Sequence, residues 1–91
     1  MRVILVDDDQ AMLIIMKRLL SQIDGIAVSG SFQSGGDAID WLRSGAADIA
    51  FVDIQMGGES GIDLAKQLKA ACRELRVVFV TSHRDYALDA F

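Results

Sequence analysis

Residues 3–9 have the sequence Val-Ile-Leu-Val-Asp-Asp-Asp, an unbroken apolar run that ends in three acids. A short run rich in β-branched residues is typical of a strand that is covered on both faces of a sheet. The apolar residues after it recur at three- and four-residue spacing, as in a helix with one apolar face; they are Met12, Met16, Leu19, Leu20 and Ile23. The start of the chain therefore predicts a strand, an acidic turn and a helix.

The same alternation of strand and helix patterns continues along the chain. Further apolar runs predict strands at residues 26–28, 49–52 and 77–80, each followed by a stretch with helical spacing. Three of these helices open with Ser-x-x-Asp, at 34–37, 60–63 and 82–85, where the serine caps a backbone N–H and the aspartate complements the helix dipole. The order βαβαβαβα predicts an α/β fold with a parallel sheet, right-handed crossovers and helices on both faces.

Length and charge limit what this domain can be. A chain of 91 residues is long enough for one domain, residues 1–91, and its last predicted helix stops unfinished, so we expect it to be C-terminally incomplete. The formal net charge of −4 argues against direct nucleic-acid binding, and no apolar run is long enough to span a membrane. Cys72 is the single cysteine, which fits a reducing, cytoplasmic location.

Polar side chains follow three of the predicted strands. Asp7 and Asp8 follow the first strand, Asp53 the third and Thr81 the fourth, and the carboxyl ends of parallel strands share one edge of the sheet. If strands one and three are neighbours, three carboxylates converge there, and such oxygen ligands suit Mg²⁺. A carboxylate in this place can attack phosphorus, with the Thr81 hydroxyl holding one phosphoryl oxygen, so the pattern predicts phosphoryl transfer onto Asp53.

A simpler interpretation applies to some of these residues. An acid after a strand is usually the N-cap of the next helix, which is our interpretation of Asp9, but Asp7 and Asp8 cannot both be that cap. The glycines at 57, 58 and 61 match neither a phosphate-binding loop nor a dinucleotide fingerprint, and we expect a mobile loop after Asp53.

Together these motifs resemble the receiver domain of bacterial two-component response regulators. The resemblance rests on Val-Asp7-Asp8-Asp9, on Phe-Val-Asp53-Ile-Gln-Met before a glycine-rich stretch ending in Ser60-Gly61, and on Val-Phe-Val-Thr81-Ser82, and it covers all 91 residues. It implies that Asp53 is the phosphoacceptor and that Asp7 and Asp8 hold Mg²⁺, with the Gln55 backbone carbonyl as a further ligand. Thr81 is then the hydroxyl that moves to the phosphoryl group.

The resemblance also implies a fold and partners. The fold is a flavodoxin-like, doubly wound sheet of order 2-1-3-4 that lacks the family's fifth strand, its Lys-Pro pair and its fifth helix. A histidine kinase supplies the phosphoryl group to a switch that is not a turnover enzyme. Residues 86–91 resemble receivers joined to LytTR-type DNA-binding output domains, so the output lies outside this chain. The fourth strand becomes an exposed apolar edge, which predicts a homodimer or domain-swapped oligomer.

Two other functions fit parts of the pattern. A receiver-like interaction module that works without phosphorylation would not need Mg²⁺. A Mg²⁺-dependent phosphohydrolase on a similar sheet uses an acid two residues after its nucleophile, and Gln55 occupies that place. The sequence therefore favours the phosphorylated switch, with the interaction module as the alternative.

Overall fold

A computed structural model describes residues 1–56 and 59–80 of the chain. Its elements follow one another in the order β1 (Arg2–Val6), α1 (Gln10–Leu20), β2 (Ala27–Phe32), α2 (Gly35–Ser44), β3 (Ile49–Asp53), β4 (Gln55–Met56), β5 (Glu59–Ser60), α3 (Gly61–Ala71) and β6 (Arg76–Val80). The predicted fourth helix and the Ser82 cap lie outside the described residues.

Four parallel strands form the main sheet, in the order β2-β1-β3-β6. Counted by chain order within this sheet, that is 2-1-3-4, so the predicted order is confirmed. β1 and β3 are adjacent, with Val6 paired to Val52, and β3 pairs with β6. The carboxyl ends of the two central strands therefore lie side by side.

Helices cover both faces of the sheet. Alternate residues of the central strands point to opposite sides, so both faces carry apolar side chains that helices can bury. Val3 and Leu5 pack with Leu13 of α1 on one face. Ile4 and Val6 join the larger core on the other face, which includes side chains of α2 and α3; Ala38, Leu42, Leu64 and Leu68 are its buried helical members. The predicted three-layer arrangement is confirmed over the described residues.

The capping residues begin the helices as predicted. The Asp9 side chain accepts from the N–H of Ala11 and caps α1, while Ser34 and Ser60 accept from the N–H of the aspartate three residues on. The predicted limits were less accurate: α1 ends before Ile23, and β2 runs to Phe32. Within residues 1–56 and 59–80, no helix has the length and apolar character needed to cross a membrane.

The connection after Asp53 contains a short strand pair that was not predicted. β4 and β5 form a short antiparallel pair, with Gln55 opposite Ser60. Gly61 is buried and is the first residue of α3, so the loop interpretation was wrong for this glycine. Positions 57 and 58 lie outside the described residues. The N–H of Gly61 donates to the carbonyl of Ile54, so the start of α3 lies close to the end of β3.

Candidate functional site

Three carboxylates meet at the carboxyl end of the central strands. Asp53 is the last residue of β3. Asp7 and Asp8 come directly after β1, which is the strand next to β3 in the sheet. One carboxylate oxygen from each of these three residues lies within 4.8 Å of the other two. The convergence follows from the pairing of β1 with β3, which places the turns after these two strands side by side.

The three side chains differ in their exposure to water. Asp7 is 7% exposed and Asp53 is 8% exposed, whereas Asp8 is exposed. The Asp7 Oδ1 accepts a 2.9 Å hydrogen bond from the backbone N–H of Asp9. The Asp7 N–H itself donates to the carbonyl of Phe32 at 3.0 Å, which continues the pairing of β1 with β2 past the end of the strand. The site therefore has a buried, backbone-anchored part and one side that is open to solvent.

Burial and like charges shape the acidity of Asp7. Removal from water raises the pKa of its carboxyl above the ordinary value of 3.8, and the hydrogen bond from Asp9 opposes that rise. The charges of Asp53, Asp8 and Asp9 raise the Asp7 pKa further. A positive charge placed among these carboxylates would relieve the repulsion between them.

The donor set matches a hard divalent cation. All three side chains offer oxygen, two of them are nearly buried, and one faces solvent, where a cation can keep water ligands. Mg²⁺ has this preference for carboxylates and retained water. Exposed acids are common without a metal, but Asp7 and Asp53 are buried, and a bound cation would offset part of the free-energy cost of burying their charge. The residues present fit Mg²⁺.

Gln33 is a neighbour that the sequence did not reveal. It lies between β2 and α2, and its Nε2 donates to the backbone carbonyl of Asp8 at 3.4 Å. No local pattern marks this glutamine, because the contact joins residues 25 positions apart. It links the acidic turn to the start of α2.

Two predicted site residues are not tested by these contacts. Thr81 lies outside the described residues, directly after Val80, which pairs with Asp53 in the register of β3 with β6. Gln55 lies in β4, and its carbonyl remains a predicted ligand. The structure thus unites Asp7, Asp8 and Asp53, and the roles of Thr81 and Gln55 stay predictions.

Comparison with known families gives the class to which this fold and site belong. Residues 3–91 match the family described as "Response regulator receiver domain". The chain belongs to this family: it is a receiver domain of the kind found in the response regulators of two-component systems. The resemblance recognised from the motifs is confirmed.

Particular relatives are similar over nearly the whole chain. The response regulator UvrY of Escherichia coli K12 is 31% identical over 88 residues, which are 97% of this chain and 40% of that protein. The sensory transduction protein LytR of Staphylococcus haemolyticus is 32% identical over 91 residues, 100% of this chain and 36% of that protein. The chain therefore spans well under half the length of these relatives.

Solved structures give the same architecture. The isolated receiver (REC) domain of RcsB from Salmonella enterica serovar Typhimurium, determined with the phosphomimetic BeF3⁻, superposes with a TM-score of 0.84 at 28% identity. That alignment covers 99% of this chain and 67% of the RcsB domain. The response regulator domain of Thermotoga maritima CheB gives a TM-score of 0.80 at 27% identity, over 90% of this chain and 60% of that one.

Proposed function

We propose that Asp53 accepts a phosphoryl group from a sensor histidine kinase and that the modified domain controls an output outside this chain. The observation that carries the proposal is the convergence of the Asp7, Asp8 and Asp53 carboxylates within 4.8 Å at one edge of the sheet. Receiver domains are regulatory, so the phosphorylated state is a signal and not a step of a turnover cycle.

The proposed step is a displacement at phosphorus. A carboxylate oxygen of Asp53 forms the new O–P bond while the P–N bond of a phosphohistidine breaks, and the imidazole nitrogen keeps the electron pair and takes up a proton. Asp53 occupies the phosphoacceptor position of the motif Phe-Val-Asp-Ile-Gln-Met.

Mg²⁺ is the cofactor in this proposal. Asp7, Asp8 and Asp53 would hold it through carboxylate oxygens, with the Gln55 backbone carbonyl as a further ligand. When bound, the cation offsets negative charge on the transferring phosphoryl group. The Thr81 hydroxyl is proposed to donate a hydrogen bond to a phosphoryl oxygen. This bond would couple phosphorylation of Asp53 to a change at the end of the fourth strand of the main sheet.

The output and location belong to the same proposal. Relatives of this chain extend well beyond the matched region, and LytR and LytT are described as sensory transduction proteins. RcsB, a structural neighbour, has been solved in complex with DNA. We propose a DNA-binding output domain of the LytTR type, with kinase, receiver and output meeting in the cytoplasm.

A second candidate function is pairing with another copy of the chain through β6. This strand is hydrogen-bonded to β3 on one side, and no other strand within residues 1–56 and 59–80 lies on its free side. Val78 and Phe79, on opposite faces of β6, are 41% and 42% exposed. Open apolar edges pair readily with other strands, which would give a homodimer or a domain-swapped oligomer.

Intact-mass analysis after incubation with acetyl phosphate and Mg²⁺ tests the phosphoacceptor. We expect one hydroxylamine-labile phosphoryl group in the original chain and in Asp24→Asn, a matched change at an exposed acid. Asp53→Asn should incorporate none. Incorporation that persists in Asp53→Asn would contradict the assignment, and a chain that neither binds Mg²⁺ nor incorporates a phosphoryl group would favour the pairing function.

Light scattering during gel filtration tests the pairing surface. We expect the mass to rise with concentration and Val78→Lys to keep the chain monomeric, because a charge on an edge strand opposes edge pairing. Ile62→Lys, at an exposed apolar residue of α3, should leave association unchanged. A monomeric mass at every concentration would contradict this candidate.

A further inference from the structure

Gly61 lies in an unusually tight position beside the end of β3. It is buried, and it is the first residue of α3, immediately after the cap residue Ser60. Its φ is not positive, since among the described glycines only Gly25 has a positive φ. The need for glycine at this position must therefore come from space and not from backbone conformation.

The space beside Gly61 is filled by main-chain atoms of the strand end. A Cβ added to Gly61 would lie 2.5 Å from the carbonyl oxygen of Asp53, 2.7 Å from the Cα of Ile54 and 2.8 Å from the carbonyl oxygen of Ile54. All three atoms belong to the backbone, so no side-chain rotation can relieve the overlap. A methyl group at this position must push α3 and the end of β3 apart.

Hydrogen bonds hold the same strand end on both sides. The N–H of Ile54 donates to the carbonyl of Val80 at 3.3 Å, and the carbonyl of Ile54 accepts from the N–H of Gly61 at 3.0 Å. The residue after Asp53 is thus bound to β6 on one side and to the start of α3 on the other. This backbone clamp, made by Val80, Ile54 and Gly61, fixes the peptide that follows the acidic side chain.

We propose that Gly61 is a positioning residue for the Asp53 carboxylate. By allowing α3 to begin in contact with Asp53 and Ile54, it sets the place of that carboxylate relative to Asp7 and Asp8. The inference rests on the proposed function, because it assumes that the three acids bind a divalent cation together. Such sites need their ligands held to within about 0.5 Å, which is smaller than the shift a new methyl group would force.

Cation affinity measured on the folded chain tests this role. Mn²⁺, which suits carboxylate and water ligands as Mg²⁺ does, is titrated while EPR counts the free ion, and Mg²⁺ competition then gives its affinity. We expect Gly61→Ala to weaken both affinities about tenfold, the scale of losing a group that orients a ligand. The readout is independent of phosphorylation.

Two control variants separate positioning from general stability. Gly36→Ala adds the same methyl group where nothing lies within 4 Å, so it should bind cations as the original chain does. Leu42→Val removes buried volume from the core near the C-terminal end of α2, which should lower the unfolding midpoint without changing affinity. Sucrose is added for all variants, because it favours the folded state without occupying the site.

The outcomes are distinct for the two proposals. If the original chain binds neither Mn²⁺ nor Mg²⁺, the proposed function fails before Gly61 is considered. If the original chain binds and Gly61→Ala binds equally well, the positioning role is overturned while the proposed function stands. A Gly61→Ala chain that stays unfolded in sucrose also overturns it, because the glycine would then serve the fold as a whole.

Discussion

The backbone N–H of Asp9 donates a 2.9 Å hydrogen bond to the Oδ1 of Asp7. This bond ties the inner carboxylate of the acidic turn to the residue that caps α1, because the Asp9 side chain in turn accepts from the N–H of Ala11. The start of the helix and the buried acid therefore share one short stretch of backbone. The bond only partly offsets burial, which raises the pKa of Asp7.

Asp7→Asn should stabilise the metal-free chain near neutral pH. A raised pKa means that the folded state disfavours the charged carboxylate, so the penalty is absent below the ordinary pKa of 3.8. It grows as the pH rises from 3.8 through the raised pKa and stays constant above it. The asparagine retains an oxygen to accept from Asp9 without the charge.

Urea unfolding followed by the fluorescence of Trp41, the single tryptophan, measures this effect. The gain in the free energy of unfolding should be present at about pH 7 and should vanish at about pH 3, where Asp7 is protonated in both states. Asp24→Asn, at an exposed acid, should show no such difference. A gain that is equal at both pH values would contradict the explanation.

Divalent cations should stabilise the folded chain. Mg²⁺ at a hundred times its dissociation constant is expected to add about 2.7 kcal/mol to the free energy of unfolding, because it binds the folded state alone. Asp8→Asn should remove most of this gain while changing the metal-free stability little, since Asp8 is exposed. Thermal melts in MgCl2 and in KCl of equal ionic strength separate binding from screening, and an equal gain in both salts would rule out a specific site.

Gly35→Ala should destabilise the contact between α2 and α3. A Cβ at Gly35 would lie 2.5 Å from a terminal methyl of Leu64, which is buried. We expect a loss of about 1–3 kcal/mol, the usual cost of overpacking a core. In a Leu64→Ala background the same change should cost almost nothing, so a double-mutant cycle by urea unfolding tests the contact. Additive losses would contradict it.

Ser34→Ala should cost about 1 kcal/mol, because the serine caps the first turn of α2. Its Oγ accepts from the N–H of Asp37 at 3.2 Å. Ser44→Ala, at the exposed far end of the same helix, should change the free energy of unfolding much less. Equal effects of the two substitutions on chemical unfolding would show that the cap contributes no specific stability.

Much of the architecture could be predicted because its signals are local. The apolar run before Asp7 and the helical spacing after it are each formed by residues close together in the sequence. The same holds for the Ser34 and Ser60 caps and the aspartates that they pair with. Such patterns reflect which face of a strand or helix is buried, and they gave the correct order of the four main-sheet strands and the three described helices, but not the short β4–β5 pair. The ends of α1 and β2 were less accurate because packing, and not local preference, sets them.

The candidate site was predicted in its members but not in its arrangement. Strand ends identified Asp7, Asp8 and Asp53, since parallel strands share an edge. No local feature of the sequence distinguished Asp7 from Asp8, yet Asp7 is buried and Asp8 is exposed. Gln33 was missed for the same reason: its contact with the Asp8 carbonyl depends on how the second strand packs beside the first.

The sequence by itself determined that strands and helices alternate and that the acids gather at one edge, because periodicity and strand-end position are properties of neighbouring residues. Family resemblance supplied the strand order, which the residues alone left open. Only the tertiary structure decided which carboxylates are buried and why Gly61 must lack a side chain. Those features arise where β1, β3, β6 and the start of α3 meet, and distances between chain segments far apart in sequence are set by packing of the whole domain.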